Sequence, residues 1–234
     1  MSKINSSFKA VVFDLFGTLA DEPTSKSIIT NQIISAKFNI PYGEFEKYWQ
    51  DSVIDRLSGS LESTNTYFSV MLSELGITLD SSLIDFAVNA RRLFATEVLQ
   101  PRESATHSIS ELKRLGFQIG MVSNCGIEIV EAWQNSKFPS LIDHSILSAK
   151  VGLIKPDPQI YSLVCERLKI NANECLYIGD GGDWELTGAE RFGMTAALLQ
   201  TAYELPEEVS YKLEAITWQG LKIENLGQVT ELLQ

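Results

Sequence analysis

The feature that most constrains the fold is an apolar run near the N-terminus, Phe8 to Phe13, which ends abruptly in Asp14. Such a run is long enough for one strand buried on both faces, as in a parallel sheet covered by helices. Gly17 and Thr18 follow in a turn that supplies backbone N–H groups and a hydroxyl beside Asp14. Ligands of open α/β sheets lie beyond the carboxyl ends of strands. We therefore expect the chemistry at this turn, although a lone Asp more often only caps a turn.

Two different patterns of apolar residues follow this strand. Between residues 26 and 99 the apolar residues recur at helical spacing, predicting about four helices with breaks near 39–43, 58–60 and 76–81. From about residue 100 helices and strands alternate, which is typical of a parallel α/β sheet. The strands are predicted over 117–122, 144–147, 175–178, 195–199 and, as a last short strand, 215–218. The prediction is a Rossmann-like α/β core formed by residues 1–20 and 100–234, with an inserted helical domain over residues 21–99.

Composition and charge exclude several classes of function. The net charge of -11, with no basic run, argues against a general nucleic-acid surface. No apolar stretch approaches the roughly 20 residues of a membrane span, and residues 1–7 lack the apolar core of a signal peptide. Cys125, Cys165 and Cys175 are odd in number and lack metal-type spacing, which predicts free thiols. A cytoplasmic protein without a membrane or nucleic-acid partner is expected.

Polar residues recur at the ends of the later strands, or in the loops that follow them. Parallel neighbouring strands would bring these residues to one edge of the sheet. Each one also has an ordinary structural interpretation, as a helix cap, a turn residue or a solvated lysine. Their joint occurrence favours a functional site. The residues are Asp14, Ser123, Asn124, Lys155, Asp180 and Glu185.

With these residues identified, the sequence resembles the haloacid dehalogenase (HAD) superfamily of hydrolases, subfamily I with a helical C1 cap. The resemblance covers nearly the whole chain in both the order and the spacing of four motifs. The helical insertion lies between the first two motifs, where the family carries its C1 cap. The motifs are Asp14-x-x-Gly17-Thr18, Ser123-Asn124, Lys155-Pro156-Asp157, and Gly179-Asp180 with Glu185.

The resemblance implies a role for each motif residue. Asp14 would be the nucleophile and would form a covalent aspartyl intermediate. Thr18 and Ser123 would hold the transferring group, and Asn124 completes the second motif. Lys155 would neutralise that group and orient Asp14. A small anionic substrate is therefore expected.

The resemblance also implies a Mg²⁺ cofactor, bound by Asp14, Asp180 and the backbone carbonyl of Phe16. Glu185 stands where the family usually has Asp, and its longer side chain is expected to act through water. The charges support a cation independently, because Asp14, Asp180 and Glu185 against Lys155 leave two negative charges in one desolvated pocket. Mg²⁺ would balance that charge and prefers such oxygen ligands.

One position departs from the pattern of the HAD phosphatases. These enzymes usually have a second Asp two residues after the nucleophile, where it protonates the leaving alkoxide and then activates water. This chain has Phe16, which has no proton to give. Hydrolysis of alkyl phosphate esters should therefore lose a contribution of roughly 10²- to 10⁴-fold. The L-2-haloacid dehalogenases of the same superfamily have an aromatic residue at this place and release halide, which needs no acid.

A few other residues are weaker candidates for the site. Asp21 and Asp183 flank it as substitutes for the missing acid, although both are ordinary loop or cap residues. Arg56 in the helical insertion is a candidate anchor for an anionic substrate. Tyr161 fits the dehalogenase pattern, and its simpler interpretation is helix packing.

Three functions remain open at this stage. The first is a Mg²⁺-dependent phosphohydrolase that favours activated substrates such as aryl or acyl phosphates, or works slowly. The second is an L-2-haloacid dehalogenase-like hydrolase. The third is a HAD domain that binds a phosphorylated ligand without turnover.

Overall fold

The computed structural model describes residues 8–200 and 212–233. Within them, six parallel strands form one sheet in the order β3-β2-β1-β4-β5-β6. This order confirms the α/β prediction and places β1 beside β4, where the strand order reverses. The strands are β1 (Ala10–Phe13), β2 (Gln118–Ser123), β3 (His144–Leu147), β4 (Cys175–Gly179), β5 (Thr195–Leu199) and β6 (Leu221–Ile223).

Helices cover both faces of the sheet, and β1 is buried on both sides as its apolar run predicted. Val11 and Phe13 point into one apolar cluster, whereas Ala10 and Val12 point into the other. The helices of this part are α6 (Glu103–Arg114), α7 (Ile127–Trp133), α8 (Phe138–Leu141), α9 (Ser148–Val151), α10 (Pro158–Leu168), α11 (Glu185–Phe192), α12 (Leu213–Thr217) and α13 (Gly227–Leu233).

Five helices precede this part of the chain and pack around an apolar cluster of their own, which includes Phe45, Phe68 and Met71. The sequence predicted about four helices here; the structure adds a boundary at Ser52, whose hydroxyl donates to the carbonyl of Tyr48 at 2.8 Å. The division of the chain into two domains stays a prediction. The helices are α1 (Thr24–Phe38), α2 (Tyr42–Asp51), α3 (Val53–Ser58), α4 (Thr64–Glu74) and α5 (Ser81–Val98).

The chain passes into and out of the helical segment at one place. Ala20 forms an antiparallel bridge with Pro101. The amide of Arg102 donates to the carbonyl of Leu19 at 2.9 Å. The two connections to the sheet therefore lie side by side just beyond β1.

A buried ion pair joins the helical segment to the α/β core. Arg91 of α5 pairs with Glu128 of α7, and both side chains are less than a tenth exposed. The guanidinium carbon of Arg91 lies 4.6 Å from the ring centre of Trp49 and 4.0 Å from that of Phe94. Aromatic faces thus add cation–π contacts to the salt bridge.

The predicted last strand at 215–218 was wrong. The segment forms α12 instead, and the strand β6 follows it at Leu221–Ile223. Glu214, Ala215 and Trp218 are buried while Ile216 is 59% exposed, which is a helical rather than an alternating pattern. The helical turn also points the Glu214 carboxylate at the first turn of α11, where it accepts from the amides of Leu186 and Thr187.

Two expectations from composition can be compared with the structure. All three cysteines are free, as predicted, and the structure buries all of them. Among residues 8–200 and 212–233, no helix combines the length and the apolar character that a membrane crossing requires.

Candidate active site

The turn after β1 is held in a tight conformation by backbone hydrogen bonds. The amide of Asp14 donates to the carbonyl of Ile178 at 2.8 Å, which fixes Asp14 beside the end of β4. Gly17 has a φ of +79°, and its amide donates to the carbonyl of Ala20 at 2.9 Å. A Cβ at position 17 would lie 1.8 Å from Oδ2 of Asp180. Glycine is needed at this position because Asp180 passes directly over its backbone.

Lys155 joins two of the predicted carboxylates. Its Nζ lies 2.6 Å from Oδ1 of Asp14 and 2.5 Å from Oε2 of Glu185, with all three side chains almost completely buried. The backbone of Lys155 is fixed by Asn124, whose Oδ1 accepts from the Lys155 amide at 2.8 Å. Nδ2 of Asn124 donates to the Lys155 carbonyl at 3.2 Å. Asn124 therefore positions the lysine on which both carboxylates depend.

Glu185 is surrounded by donors. Its Oε2 accepts from the Tyr177 hydroxyl at 2.8 Å, and its Oε1 accepts from the Gly181 amide at 3.1 Å. The Tyr161 hydroxyl donates to the backbone carbonyl of Glu185 at 2.9 Å. Tyr161 therefore contacts the backbone of Glu185 and helps to hold this residue in position.

Asp180 contacts Lys212, and Lys212 in turn approaches Glu22; sequence reasoning missed both residues. Lys212, which is 2% exposed, places its Nζ 2.5 Å from Oδ2 of Asp180, while the Gly182 amide donates to Oδ1 at 3.0 Å. Oε2 of Glu22 lies 4.0 Å from the same Nζ. Lys212 follows the last motif, and Glu22 lies in the polar connection after the first motif. Neither residue directly follows a predicted strand, so no local sequence pattern marks it as a site residue. The available signal was topological, since the chain after β5 also leaves the sheet at this edge.

These groups surround a cleft of about 230 Å³ at the carboxyl edge of the sheet. Its lining includes predicted residues from all four motifs, but neither Arg56 nor Tyr161. Thr18, in the turn after β1, is fully buried and is not among the lining residues, and its Oγ1 has no hydrogen-bond partner among the described residues. The lining residues are Asp14, Phe16, Glu22, Pro23, Ser123, Asn124, Lys155, Asp180, Gly182, Asp183, Glu185 and Lys212.

Of the remaining candidates, only Asp183 lines the cleft. Arg56 packs its guanidinium 3.8 Å from the ring centre of Trp49 and donates to the Trp49 carbonyl at 2.9 Å. Asp21 is exposed and accepts from Nε of Arg102 at 2.8 Å. Asp183 lines the cleft and accepts from Nδ2 of Asn124 at 2.8 Å.

The cleft carries an excess of negative charge. Burial raises the pKa of Asp14, against the opposing effect of Lys155. Burial and the charge of Asp14 raise the pKa of Glu185 well above its ordinary range. Burial disfavours the charged form of Lys155, but Asp14 and Glu185 together raise its pKa well above the ordinary value. Lys155 is therefore charged, and its single positive charge is shared between the carboxyl groups of Asp14 and Glu185.

The acidic groups have the chemistry of a metal site. Carboxylate oxygens of Asp14, Asp180 and Glu185 lie within 4.8 Å of one another. Hard divalent cations such as Mg²⁺ and Ca²⁺ prefer oxygen ligands. The donor set therefore fits such a cation, with Asp180 as the carboxylate paired to Lys212 and Glu185 as the one enclosed by protein donors.

Glu22 should make the free energy of unfolding depend on pH. Burial, followed by the charge of Asp180, raises its pKa from 4.5 to about 7. A raised carboxyl pKa stabilises the fold below the unfolded-state pKa, and that stabilisation is lost as the pH rises through the folded-state pKa. Between pH 5 and pH 8, Glu22→Gln should lose less free energy of unfolding than the wild type, by about 1–3 kcal/mol.

Urea denaturation at several pH values measures this difference. Glu44→Gln, at an exposed position of α2, is the matched control and should follow the wild type. Parallel pH profiles for Glu22→Gln and the wild type would contradict a buried, proton-binding Glu22.

Comparisons with known proteins agree with this geometry. A family model described as a hydrolase, haloacid dehalogenase-like hydrolase, matches residues 8–193. The chain is 24% identical to (S)-2-haloacid dehalogenase 4A of Burkholderia cepacia, over 86% of this chain and 87% of the relative. It is 27% identical to glyceraldehyde 3-phosphate phosphatase of Methanopyrus kandleri, over 82% and 84%.

Among solved structures, a HAD family enzyme from Bacteroides thetaiotaomicron, in complex with magnesium and inorganic phosphate, has the same fold. The TM-score is 0.65 at 18% identity, covering 87% of this chain and 99% of that one. The relatives thus include both a dehalogenase and a phosphatase, and they leave the substrate class open.

Proposed function

The chain belongs to the haloacid dehalogenase-like hydrolases, and within this family we propose that it is a Mg²⁺-dependent phosphohydrolase acting on a small phosphorylated metabolite.

The observation that carries the proposal is the charge of the cleft. Five carboxyl groups and two ammonium groups line it, so acidic groups outnumber basic ones. An anionic substrate would be repelled from such a surface. A divalent cation would reverse that repulsion, and the Bacteroides thetaiotaomicron enzyme of the same fold holds magnesium together with inorganic phosphate. The carboxylates are Asp14, Glu22, Asp180, Asp183 and Glu185, and the ammonium groups are those of Lys155 and Lys212.

Asp14 is the proposed nucleophile. Its carboxylate attacks phosphorus, the bond to the leaving oxygen breaks, and an aspartyl phosphate forms. Water then attacks this intermediate, releases inorganic phosphate and restores Asp14. Lys155, 2.6 Å from Asp14, holds the carboxylate in place and balances charge on the transferring group. The buried hydroxyls of Thr18 and Ser123 are the proposed donors to the phosphoryl oxygens.

Mg²⁺ would be held by Asp14, Asp180 and the backbone carbonyl of Phe16, and when bound it supplies the positive charge that lets a phosphoryl group approach the nucleophile. Glu185 acts through Lys155, because in this arrangement its oxygens accept from Lys155, Tyr177 and Gly181.

Phe16 restricts the substrates to those with good leaving groups. Its half-buried ring lines the cleft and has no proton to donate to a departing alkoxide. Acyl and aryl phosphates release weakly basic leaving groups and need less general-acid assistance. Activated phosphates are therefore the preferred substrate class.

Phe16→Asp is expected to raise kcat/KM for alkyl phosphates such as glycerol 3-phosphate by at least about 10-fold, because it supplies a proton donor and general base. Turnover of acetyl phosphate should change less. Phe16→Asn is the matched control, because Asn has nearly the shape of Asp but no ionisable proton. It should give no gain in alkyl phosphate turnover. A fall in alkyl phosphate turnover with Phe16→Asp, in a folded protein, would contradict the role given to Phe16.

The proposal is tested by phosphate release from p-nitrophenyl phosphate and acetyl phosphate, with Mg²⁺ and with EDTA. Release that requires both Mg²⁺ and Asp14 is the expected result. The variant Asp14→Asn sets the background for contaminating phosphatases.

A dehalogenase-like function is the second candidate, favoured by the aromatic residue at position 16 and by the likeness to (S)-2-haloacid dehalogenase 4A. Chloride release from 2-chloropropionate that persists in EDTA would establish it. The absence of both phosphate and chloride release would favour a HAD domain that binds its ligand without turnover.

A further inference from the structure

Lys212 brings a second positive charge to the acidic cluster from outside the four motifs. Its side chain is 2% exposed, and its Nζ lies 2.5 Å from Oδ2 of Asp180. The same Nζ would lie 3.2 Å from a Cβ at position 17, so the ammonium closely approaches the turn after β1. Lys212 thus reaches the acidic cluster and not merely its rim.

The backbone beside Lys212 is anchored to the same site. Glu214 accepts from the amides of Leu186 at 2.9 Å and Thr187 at 2.6 Å, in the first turn of α11. Ala215 packs closely on Gly181: a Cβ added to Gly181 would lie 2.8 Å from the amide nitrogen of Ala215. These contacts tie the start of α12 to the loop that carries Asp180, so the position of Lys212 follows from the fold of that segment.

We propose that the Lys212 ammonium is a resident cation that competes with the divalent metal ion for Asp180. The inference rests on the proposed function, because it takes Asp180 to be a metal-binding carboxylate. An ammonium group 2.5 Å from Oδ2 would repel a divalent cation on the same carboxylate. A metal ion on Asp180 must therefore either displace the ammonium or bind against its repulsion.

Two properties follow from this competition. In the absence of metal, Lys212 balances the charge of Asp180 and keeps the acidic site folded. In its presence, the affinity for the metal is reduced by the free energy needed to separate Lys212 from Asp180. A neutral residue at position 212 removes that contribution, so the site should then bind metal more tightly.

The test is a titration of Mn²⁺, which also takes oxygen ligands, into the EDTA-stripped protein, with free Mn²⁺ measured by EPR. Lys212→Gln and Lys212→Met should each bind with a Kd at least about 5-fold lower than the wild type. The matched control is Lys222→Gln, an exposed lysine of β6, which should bind like the wild type. Adding Asp180→Asn to Lys212→Gln should abolish the gain, which locates the tighter site at Asp180.

Folding provides a second readout, measured by circular dichroism. A Lys212 variant that unfolds in EDTA and regains structure with Mn²⁺ supports the proposal, because the metal then replaces the missing ammonium. A variant that stays unfolded with Mn²⁺, or a folded one whose Kd equals or exceeds that of the wild type, overturns it.

These readouts need no turnover and so separate the two proposals. Tighter Mn²⁺ binding by the variants would stand even if the wild type released no phosphate. Mg²⁺-dependent phosphate release without tighter binding would instead retain the proposed function and reject the competition.

Discussion

Asp14→Asn is expected to reduce Mg²⁺-dependent phosphate release by about 10⁴-fold or more, because the amide has a similar shape but is not a nucleophile. The loss should appear in kcat for every phosphate ester and acyl phosphate that the wild type cleaves. Since the buried cluster already has an excess of negative charge, removing one carboxylate should leave the melting temperature unchanged or raise it. Lost activity in a protein of undiminished stability would assign the effect to chemistry.

The matched control for this substitution is Asp21→Asn. Asp21 lies near the same turn, but its side chain is 88% exposed and pairs with Arg102. Its activity should stay within about twofold of the wild type. More than 1% of wild-type kcat in freshly purified Asp14→Asn, above the level of contaminating phosphatases, would rule out Asp14 as the nucleophile.

Arg91→Met is expected to lower the free energy of unfolding by about 3–5 kcal/mol, because it leaves the carboxylate of Glu128 buried without its partner. Burial would raise the pKa of Glu128, but Arg91 holds it below the ordinary value. A depressed carboxyl pKa stabilises the fold above the unfolded-state pKa, and that contribution is lost as the pH falls through the folded-state pKa. The cost of Arg91→Met should therefore be largest near pH 7 and smaller near pH 4.

Guanidinium denaturation of single and double variants measures the coupling. Arg91→Met with Glu128→Leu should recover part of the lost stability, since no unpaired buried charge remains. Arg92→Met, at an exposed position of the same helix, is the control and should cost less than about 0.5 kcal/mol. A loss for Arg91→Met no larger than that of Arg92→Met would show that the ion pair does not hold the helical segment to the core.

The main outline of the fold could be predicted because its signals are local. An apolar run such as Ala10–Phe13 reveals a buried strand, and the alternation after residue 100 reveals a parallel sheet. The predicted strand at 215–218 failed because a four-residue window fits both periods, and the contacts of Glu214 with α11 decide in favour of a helix.

The candidate site was predictable where its residues directly follow strands. Asp14, Ser123 and Asp180 come together because their parallel strands end at the same edge. Glu22 and Lys212 could not be found in this way, because their places in the cleft depend on how longer connections pack. The partners of Arg56 and Tyr161 likewise arise from tertiary packing rather than from any local pattern.

The paired connections at Ala20 and Pro101 bear on how a protein of this design can diversify. Because the chain leaves the sheet and returns to it at neighbouring positions, the intervening helices form a closed excursion whose length does not alter the register of the strands. Changes of length within α1–α5 can thus accumulate while Asp14, Lys155 and Asp180 keep their mutual distances, provided that the buried pair of Arg91 with Glu128 is kept. The topology thus separates a segment of the chain that can vary in length from the sheet edge that holds these three residues.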